Sequence, residues 1–269
     1  MVGGKDGTSA SGAPPSAMPK GNRVLDAMGE AEAALIFPHL EPMPLHAGLI
    51  LGQTGGQTGS QMDGNQTGGA LPWVIFPRAA AVVSLVAVDH GGRTAEAVSI
   101  GAEGLIGPEL ADLPGFGHLQ VQMPGPGWRI GTARLAGLAG QSAALREALA
   151  LAGRTLLVRV LQSAACAALH PVEARASRWL LLAQDRTGNA ELPVTQEMLA
   201  EMLGVRRTTV TRVIAQLAEK GLIRHRRSRV TVTDRVGLES AACGCHAGLL
   251  QRLRCVAPGL YPPVLSAAD

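Results

Sequence analysis

Threonine and arginine side chains between residues 195 and 229 have the chemistry needed to bind a polyanion. Guanidinium groups pair with phosphates and, bidentately, with the O6 and N7 atoms of guanine, while threonine hydroxyls bond phosphates and threonine methyls contact thymine. Residues 195–235 hold nine Lys and Arg against four Asp and Glu, a net charge of +5. The candidate contact residues are Thr195, Gln196, Arg206, Arg207, Thr208, Thr209, Thr211, Arg212, Arg227 and Arg229.

Two helices joined by a glycine would position most of these side chains. Thr195 is a suitable N-cap for the first helix, and Gly204 allows the left-handed backbone that ends it. The pattern predicts a second helix from about Arg206 to Lys220, on which the apolar residues share one face and the threonines and arginines point outward. The apolar face consists of Val210, Val213, Ile214 and Leu217. This spacing is typical of a helix-turn-helix, whose second helix enters the major groove of DNA.

The following residues, LIRHRRSRVTVTD, predict a strand, a turn and a second strand. Their apolar residues can face inward, while four arginines crowd the exposed side and the tip. Those arginines are Arg224, Arg226, Arg227 and Arg229. The result is a basic β-wing suited to the DNA backbone. A charge run alone is usually a solvated surface, but charge combined with the glycine turn, the apolar face and the wing predicts DNA binding.

The N-terminal half has a different pattern. Residues 71–135 contain short alternating or β-branched runs, from LPWVIFP to WRIGTARL, divided by turn signals such as Gly91–Gly92. They predict a small antiparallel barrel or jelly roll. Residues 52–69 contain seven glycines and a single apolar side chain, which predicts a mobile loop. Residues 1–22 are expected to form a disordered tail.

Residues 141–169 contain no proline and predict a long helix with one apolar seam. The seam consists of Leu145, Leu149, Ala152, Leu156, Val160 and Ser163, at steps of four and three residues. It fits either a partner helix in a dimer or the helix's own domain. His170–Pro171 ends the helix, because the residue before proline disfavours helical backbone. A further helix is predicted over 171–184.

The net charge of +3 is unevenly distributed. Residues 1–140 hold seven Lys and Arg against eleven Asp and Glu, whereas residues 141–269 hold seventeen against ten, so the second half is expected to meet the polyanion. No run approaches the roughly 18–20 uncharged apolar residues of a membrane span, and no membrane partner is expected. The four cysteines all follow residue 160 and do not suggest a disulfide framework, so a reducing cytoplasm is the expected compartment.

Over about residues 22–247 the chain resembles Crp/Fnr-type bacterial transcription regulators. The resemblance is carried by RASRWLLLAQDR, LPVTQEMLAEMLGVRRTTVTRVIAQLAEKGLI and RVTVTDRVGLESAACGC, and further upstream by WVIFPRAAAVVSLV and AEAVSIGAEGLIGPEL. It implies an α+β protein with a jelly-roll or cupin-like β-roll sensor domain (23–140), a dimerisation helix (141–169) and a winged helix-turn-helix domain (170–247), followed by a C-terminal tail (248–269). It also favours a partner helix in a dimer as what covers the apolar seam, and it implies a non-enzymatic homodimer that binds an inverted repeat in double-stranded DNA, with RNA polymerase as a further partner.

The resemblance assigns roles to particular residues. Arg207, Thr208 and Arg212 occupy positions where cyclic-AMP-receptor-like members read bases with Arg, Glu and Arg. Thr208 departs from the glutamate, so a different half-site sequence is expected. Thr209 matches a phosphate-contacting threonine, and Arg206 replaces a frequent serine cap and adds a phosphate partner.

No cofactor is predicted. The stretch GAEGLIGPEL could occupy the place of the family's cyclic-nucleotide cassette, but residues 103–128 contain no arginine to bind the phosphate, so cyclic AMP is not expected. No cysteine precedes Cys166, which argues against the family's iron–sulfur cluster. Isolated histidines (His39, His46, His90 and His118) give no reason to expect haem. The effector, whether a small molecule or a redox signal, stays open.

Cys243, Cys245 and His246 form a compact group of soft ligands, and Cys255 could complete a metal site or a redox pair. An ordinary helix after the wing, with reduced thiols, is the preferred interpretation. Two other classes of function stay open: a cupin-like enzyme with a DNA-binding appendage, and a protein-interaction module whose winged helix does not regulate transcription directly.

Overall fold

The computed structural model describes residues 20–53, 71–107, 110 and 116–261. Two short helices, α1 (Arg23–Asp26) and α2 (Glu30–Ile36), and a 3-10 turn (Phe37–His39) precede the first strand. Seven strands follow: β1 (Glu41–Leu45), β2 (Ile50–Gln53), β3 (Trp73–Pro77), β4 (Val82–Val88), β5 (Thr94–Ile100), β6 (Gly117–Met123) and β7 (Gly125–Gly131). The predicted α+β class, with antiparallel sheets first, is confirmed.

The seven strands form two antiparallel sheets with the orders β1-β7-β3 and β2-β6-β4-β5. Side chains from both sheets, among them Ile75, Val83 and Leu119, are buried in one apolar core. Gly92 has a φ of +74° in the turn that joins β4 to β5, and this confirms the predicted tight hairpin at Gly91–Gly92.

Two helices connect this β-roll to the C-terminal domain: α3 (Thr132–Gln141) and α4 (Ala143–Leu169). The expected strand WRIGTARL is wrong beyond Gly131, where α3 begins. Leu135 and Leu138 are both buried there, and their three-residue spacing is helical rather than alternating. Ser142 caps α4 by accepting a hydrogen bond from the backbone N–H of Leu145 at 3.1 Å.

The apolar seam of α4 packs inside its own chain. Leu145 and Ala152 are buried among the N-terminal helices, and Leu156 and Val160 pack against the β-roll core. Of the two alternatives that the sequence leaves open for this seam, packing on its own domain is the one found. A second apolar face remains exposed, with Leu157 57% and Leu161 60% accessible.

By length and composition alone, α4 is also long and apolar enough to cross a membrane, contrary to the expectation from the sequence that no run approaches such a span. The helix contains Arg159, whose side chain is buried in an ion pair within the protein. Together with the buried seam, this makes α4 a structural helix between the two domains.

The C-terminal domain begins with α5 (Val172–Thr187) and a short strand β8 (Glu191–Leu192). The helices α6 (Gln196–Leu203) and α7 (Arg207–Glu219), the strands β9 (Ile223–Arg226) and β10 (Arg229–Val232) and the helix α8 (Arg235–Ala241) follow. The three strands pair in the order β8-β10-β9. The predicted winged helix-turn-helix is therefore confirmed as a fold.

The C-terminal tail expected from residue 248 is wrong for residues 248–261. Helix α9 (Cys245–Val256) packs against α4, and Leu249, Leu253 and Tyr261 are buried there. The apolar residues recur at helical spacing and have a surface to cover, so this segment folds. Residues 262–269 lie outside the described residues.

Two segments expected to lack structure contain described residues with a defined structure. Asn22, placed in the tail, is fully buried, and its side-chain amide donates to the carbonyls of Pro77 and Gly104 at 2.9 and 2.8 Å. Gly52 and Gln53, placed in the loop, belong to β2. Residues 1–19 and 54–69 lie outside the described residues.

Candidate nucleic-acid interface

The turn between α6 and α7 has the geometry that the sequence predicts. The Thr195 hydroxyl accepts a hydrogen bond from the backbone N–H of Met198 at 3.0 Å and so caps α6. Gly204 ends α6 with a φ of +64°. A Cβ atom at Gly204 would lie 3.0 Å from the Cβ of Ala95 in β5, so a side chain here would be crowded as well as strained by the left-handed backbone.

Helix α7 buries one face and exposes the other. Its apolar residues are all buried, namely Val210, Val213, Ile214 and Leu217. Arg207, Thr208 and Arg212 are exposed, and Thr209 is half-buried. The predicted orientation of the helix is therefore confirmed, while contact with DNA stays a prediction for each residue.

The cations of α7 are not neutralised. Arg206 is the N-cap residue and makes no side-chain capping bond. Within the described parts of the chain, no carboxylate pairs with the guanidinium groups of Arg206, Arg207 or Arg212. Three unpaired guanidinium groups, two at the N-terminal end of α7 and one on its exposed side, create a positive surface that attracts an anion.

A hydrogen bond joins the two helices on this surface. The Thr211 hydroxyl lies 2.8 Å from the side-chain oxygen of Gln196 and 3.0 Å from the carbonyl oxygen of Arg207. This contact positions the Gln196 amide at the start of α6, beside the first turns of α7. Gln196 and Thr211, both named from the sequence, therefore belong to one polar cluster.

Two wing arginines predicted to contact DNA, Arg227 and Arg229, differ in whether they form an ion pair. Arg227 is exposed in the turn between β9 and β10, where Ser228 has a φ of +57°. Arg229 is paired with Glu191 of β8, and both side chains are more than half exposed. Arg227 has no carboxylate partner among the described residues.

An open groove of about 600 Å³ separates α7 from the wing. Small residues, including Ala215, Ala218 and Gly221, line it on one side, and Arg224 and His225 of β9 line it on the other. The groove separates the exposed face of α7 from the arginines of the wing, and this arrangement offers two surfaces to one extended ligand.

A buried carboxylate, that of Glu103, joins the winged domain to the β-roll. In the sequence, Glu103 stands out only as part of the cassette-like stretch GAEGLIGPEL. Glu103 forms ion pairs with Arg159 of α4 and with Arg186 of α5, the latter at 2.9 Å. Arg159 also donates a hydrogen bond to the Tyr261 hydroxyl. Burial acts to raise the pKa of Glu103, but the charges of Arg159 and Arg186 outweigh it and hold this pKa well below its usual value.

A second polar contact joins the same two domains. The carboxylate of Glu96 in β5 accepts hydrogen bonds from the Trp179 indole N–H at 3.3 Å and from the Ser84 hydroxyl at 2.6 Å. Around it, Val82 and Val86 of the β-roll share an apolar core with the winged domain. Sequence reasoning missed both contacts, since pairs so far apart along the chain leave no local pattern.

The cysteines are arranged differently from the expectation. Cys166, Cys243 and Cys245 are buried, and their sulfur atoms all lie within 4.8 Å of one another. Cys255, expected to complete a site with Cys243 and Cys245, is exposed and is not part of this group. His246 instead pairs with Asp185, at 2.8 Å.

Comparisons with known proteins agree with this architecture. Residues 174–241 match the Crp-like helix-turn-helix domain. A solved structure from Eubacterium rectale, assigned to the Crp/Fnr family of transcriptional regulators, is 17% identical with a TM-score of 0.59, covering 80% of this chain and 95% of that one.

Two further solved structures give the same result. FixK2 from Bradyrhizobium japonicum is 13% identical, with a TM-score of 0.56 over 76% of this chain and 98% of its own. The regulator CLP of Xanthomonas campestris, described as c-di-GMP responsive, is 16% identical, with a TM-score of 0.57 over 76% of this chain and 99% of its own. A search of curated proteins gives no significant match. The resemblance to Crp/Fnr-type regulators is thus confirmed in the helix-turn-helix domain and in the fold.

Proposed function

We propose that this chain, a Crp-like helix-turn-helix domain joined to a β-roll in the Crp/Fnr regulator fold, is a transcription regulator that binds double-stranded DNA. The observation that carries the proposal is the outer face of α7. Arg212 lies there, and Arg206 and Arg207 lie at the N-terminal end of the helix, all three without a carboxylate partner. The apolar face of α7 is fully buried and fixes the helix in the domain.

The residues divide into two roles in this proposal. Arg207, Thr208 and Arg212 face the base edges of the major groove, where an arginine can pair bidentately with guanine. Arg206, Thr209 and Arg227 contact phosphates and set the register of the protein on the duplex. The remaining candidates, Thr195, Gln196, Thr211 and Arg229, border this surface. To contact DNA, Arg229 must break its ion pair with Glu191 and pair with a phosphate instead.

We propose a homodimer formed through the exposed face of α4, and not through its seam. Leu157 and Leu161 lie 40° apart on a helical wheel, and Ala150, Gly153, Ala164 and Ala168 fall on the same face. Large exposed leucines flanked by small residues suit close packing of two helices. Two-fold symmetry then requires an inverted repeat with half-site centres about 10–10.5 base pairs, or a multiple of one turn, apart.

The β-roll is the input domain in this proposal, and Glu103 couples it to the DNA reader. Glu103 contacts α4 through Arg159 and α5 through Arg186, so an effector that moves residues 101–107 changes the position of both helices. A regulator of this kind acts in the cytoplasm, beside DNA and RNA polymerase, and needs no catalytic group. An effector acts only if it binds two arrangements of these domains with different affinities.

Selection from random double-stranded DNA by the full-length protein, at two salt concentrations, tests the proposal. Enrichment of an inverted repeat, with affinity that falls steeply as salt rises, is the expected result. A protein-interaction module would give no enriched sequence and no steep salt slope. A cupin-like enzyme with an appended winged helix would instead catalyse a reaction at the β-roll. The DNA sequence that it selects would then not depend on the β-roll.

A further inference from the structure

Three cysteine side chains meet between the long helix α4 and the segment that follows the wing. Cys166 lies near the C-terminal end of α4, Cys243 lies between α8 and α9, and Cys245 is the first residue of α9. The three sulfur atoms are within 4.8 Å of one another, and those of Cys166 and Cys243 are 3.4 Å apart. All three residues are buried and all are free thiols. The proposed DNA contacts do not use this cluster.

The spacing of these sulfur atoms matches a metal centre. Zinc binds thiolates at about 2.3 Å in tetrahedral geometry, which sets sulfur atoms about 3.8 Å apart. The sulfur atoms of Cys166 and Cys243 are 3.4 Å apart, close to that value, and neither of the other two separations exceeds 4.8 Å. Only small side-chain adjustments are therefore needed to bring all three sulfur atoms onto one ion.

A half-buried cation, Arg178, lies beside the cluster. The charge of Arg178 acts on Cys166, and the Nε atom of Arg178 is buried with no hydrogen-bond partner among the described residues. Three thiolates with a divalent ion carry a net charge of −1, which Arg178 would neutralise. A monovalent ion such as Cu(I) would leave −2, which is more costly to bury. The charge balance therefore favours a divalent soft ion.

Metal binding must release the protons of the three free thiols. Burial raises the pKa of Cys166 to about 12, and the pKa of Cys245 is also raised. A metal ion displaces the thiol protons to solvent as it binds, so that three metal–sulfur bonds replace three sulfur–hydrogen bonds.

We propose that Cys166, Cys243 and Cys245 bind one Zn²⁺ ion and that this ion joins α4 to the segment after the wing. Within the described residues, no fourth Cys, His, Asp or Glu belongs to the group. The fourth position is filled by water or by another small ligand. This inference goes beyond DNA binding, and its test does not depend on whether the protein binds DNA.

Zinc X-ray absorption on the reduced, full-length wild-type protein tests the site without any substitution. Protein loaded with Zn²⁺ and freed of excess metal should retain one ion per chain, with three sulfur neighbours at about 2.3 Å and one lighter neighbour. Retention of no zinc, or a shell with fewer than three sulfur neighbours, overturns the proposal. Retention of copper but not zinc overturns it as well.

A matched pair of variants assigns the ligands. Cys166→Ser should lower the affinity for Zn²⁺ in competition with a chelating dye by more than about 100-fold, beyond the loss typical of removing an outer hydrogen-bond partner. Cys255→Ser removes an exposed thiol outside the group and should leave the affinity unchanged. Equal affinities of the two variants, or loss in Cys255→Ser alone, overturn the assignment. If circular dichroism shows that Cys166→Ser does not fold, the wild-type sulfur count decides.

Discussion

Glu103 accepts hydrogen bonds from the Nε and Nη2 atoms of Arg186 at 3.0 and 2.9 Å, although the two residues are 83 positions apart in the chain. Arg186 also donates to the side chain and backbone of Ser99 at 2.7 and 2.8 Å. One guanidinium group of the winged domain is thus held by two residues of the β-roll. The domains meet through this charged contact as well as through their shared apolar core.

Glu103→Gln should destabilise the protein by about 3–5 kcal/mol, because it leaves Arg159 and Arg186 buried without a counter-charge. The free energy of unfolding in denaturant measures the effect. Glu41→Gln is the matched control, since Glu41 pairs with Arg129 but its side chain is 55% exposed, and it should cost less than about 1 kcal/mol. Equal costs for the two variants would show that the Glu103 pair adds nothing beyond a surface ion pair.

The same carboxylate predicts a loss of stability in acid. The pKa of Glu103 is lowered in the folded protein from an ordinary value of 4.5, so its contribution is complete above about pH 4.5 and is lost as pH falls towards the folded pKa. The difference in unfolding free energy between wild type and Glu103→Gln should therefore narrow as pH falls from about 5 to about 3, and should go on narrowing towards the folded pKa. A difference that stays constant over this range would contradict the assignment.

Arg212→Ala and Arg227→Ala should have different effects on DNA binding. Arg212 lies on the exposed face of α7, and its loss should cost about 1–3 kcal/mol and relax preference at one base position. Arg227 lies in the turn of the wing, and its loss should weaken all sequences about equally. Binding of a panel of single-base variants of the selected site measures both. Uniform loss in both variants would show that α7 is oriented differently on DNA.

Leu157→Asp should shift the protein from dimer to monomer, because it places a charge in the apolar face proposed for the dimer. Leu169→Asp is the control: Leu169 is also exposed, at 74%, but lies about 120° from Leu157 around the helix. Sedimentation velocity gives the two masses directly. If the control dissociates and Leu157→Asp does not, the interface lies on another face of α4.

The local features of the winged domain could be predicted from the sequence. The cap at Thr195, the left-handed Gly204 and the buried face around Val210 each depend on residues within a few turns of one another. Periodicity also identified the seam of α4, but a seam shows only that a face is apolar, not what covers it. In the structure the β-roll and the N-terminal helices cover it.

Contacts between distant residues could not be predicted. Cys166 and Cys243 are 77 positions apart and Glu103 and Arg159 are 56 apart, so no spacing rule connects them. The segment after residue 248 is a different case. Leu249 and Leu253 have helical spacing that the sequence displays, and the helix they form is stabilised by α4, on which it packs.

The central claim is that the arginines of α7 bind DNA, and the affinity of two doubly substituted proteins for the selected inverted repeat tests it most directly. Arg207→Ala/Arg212→Ala and the control Arg93→Ala/Arg134→Ala remove the same charge, the latter from exposed positions of the β-roll and α3. The α7 variant should lose at least about 30-fold in affinity, from two contacts of about 1–3 kcal/mol each, and the control less than about threefold. Equal losses in both proteins, or none in the α7 variant, would contradict the claim.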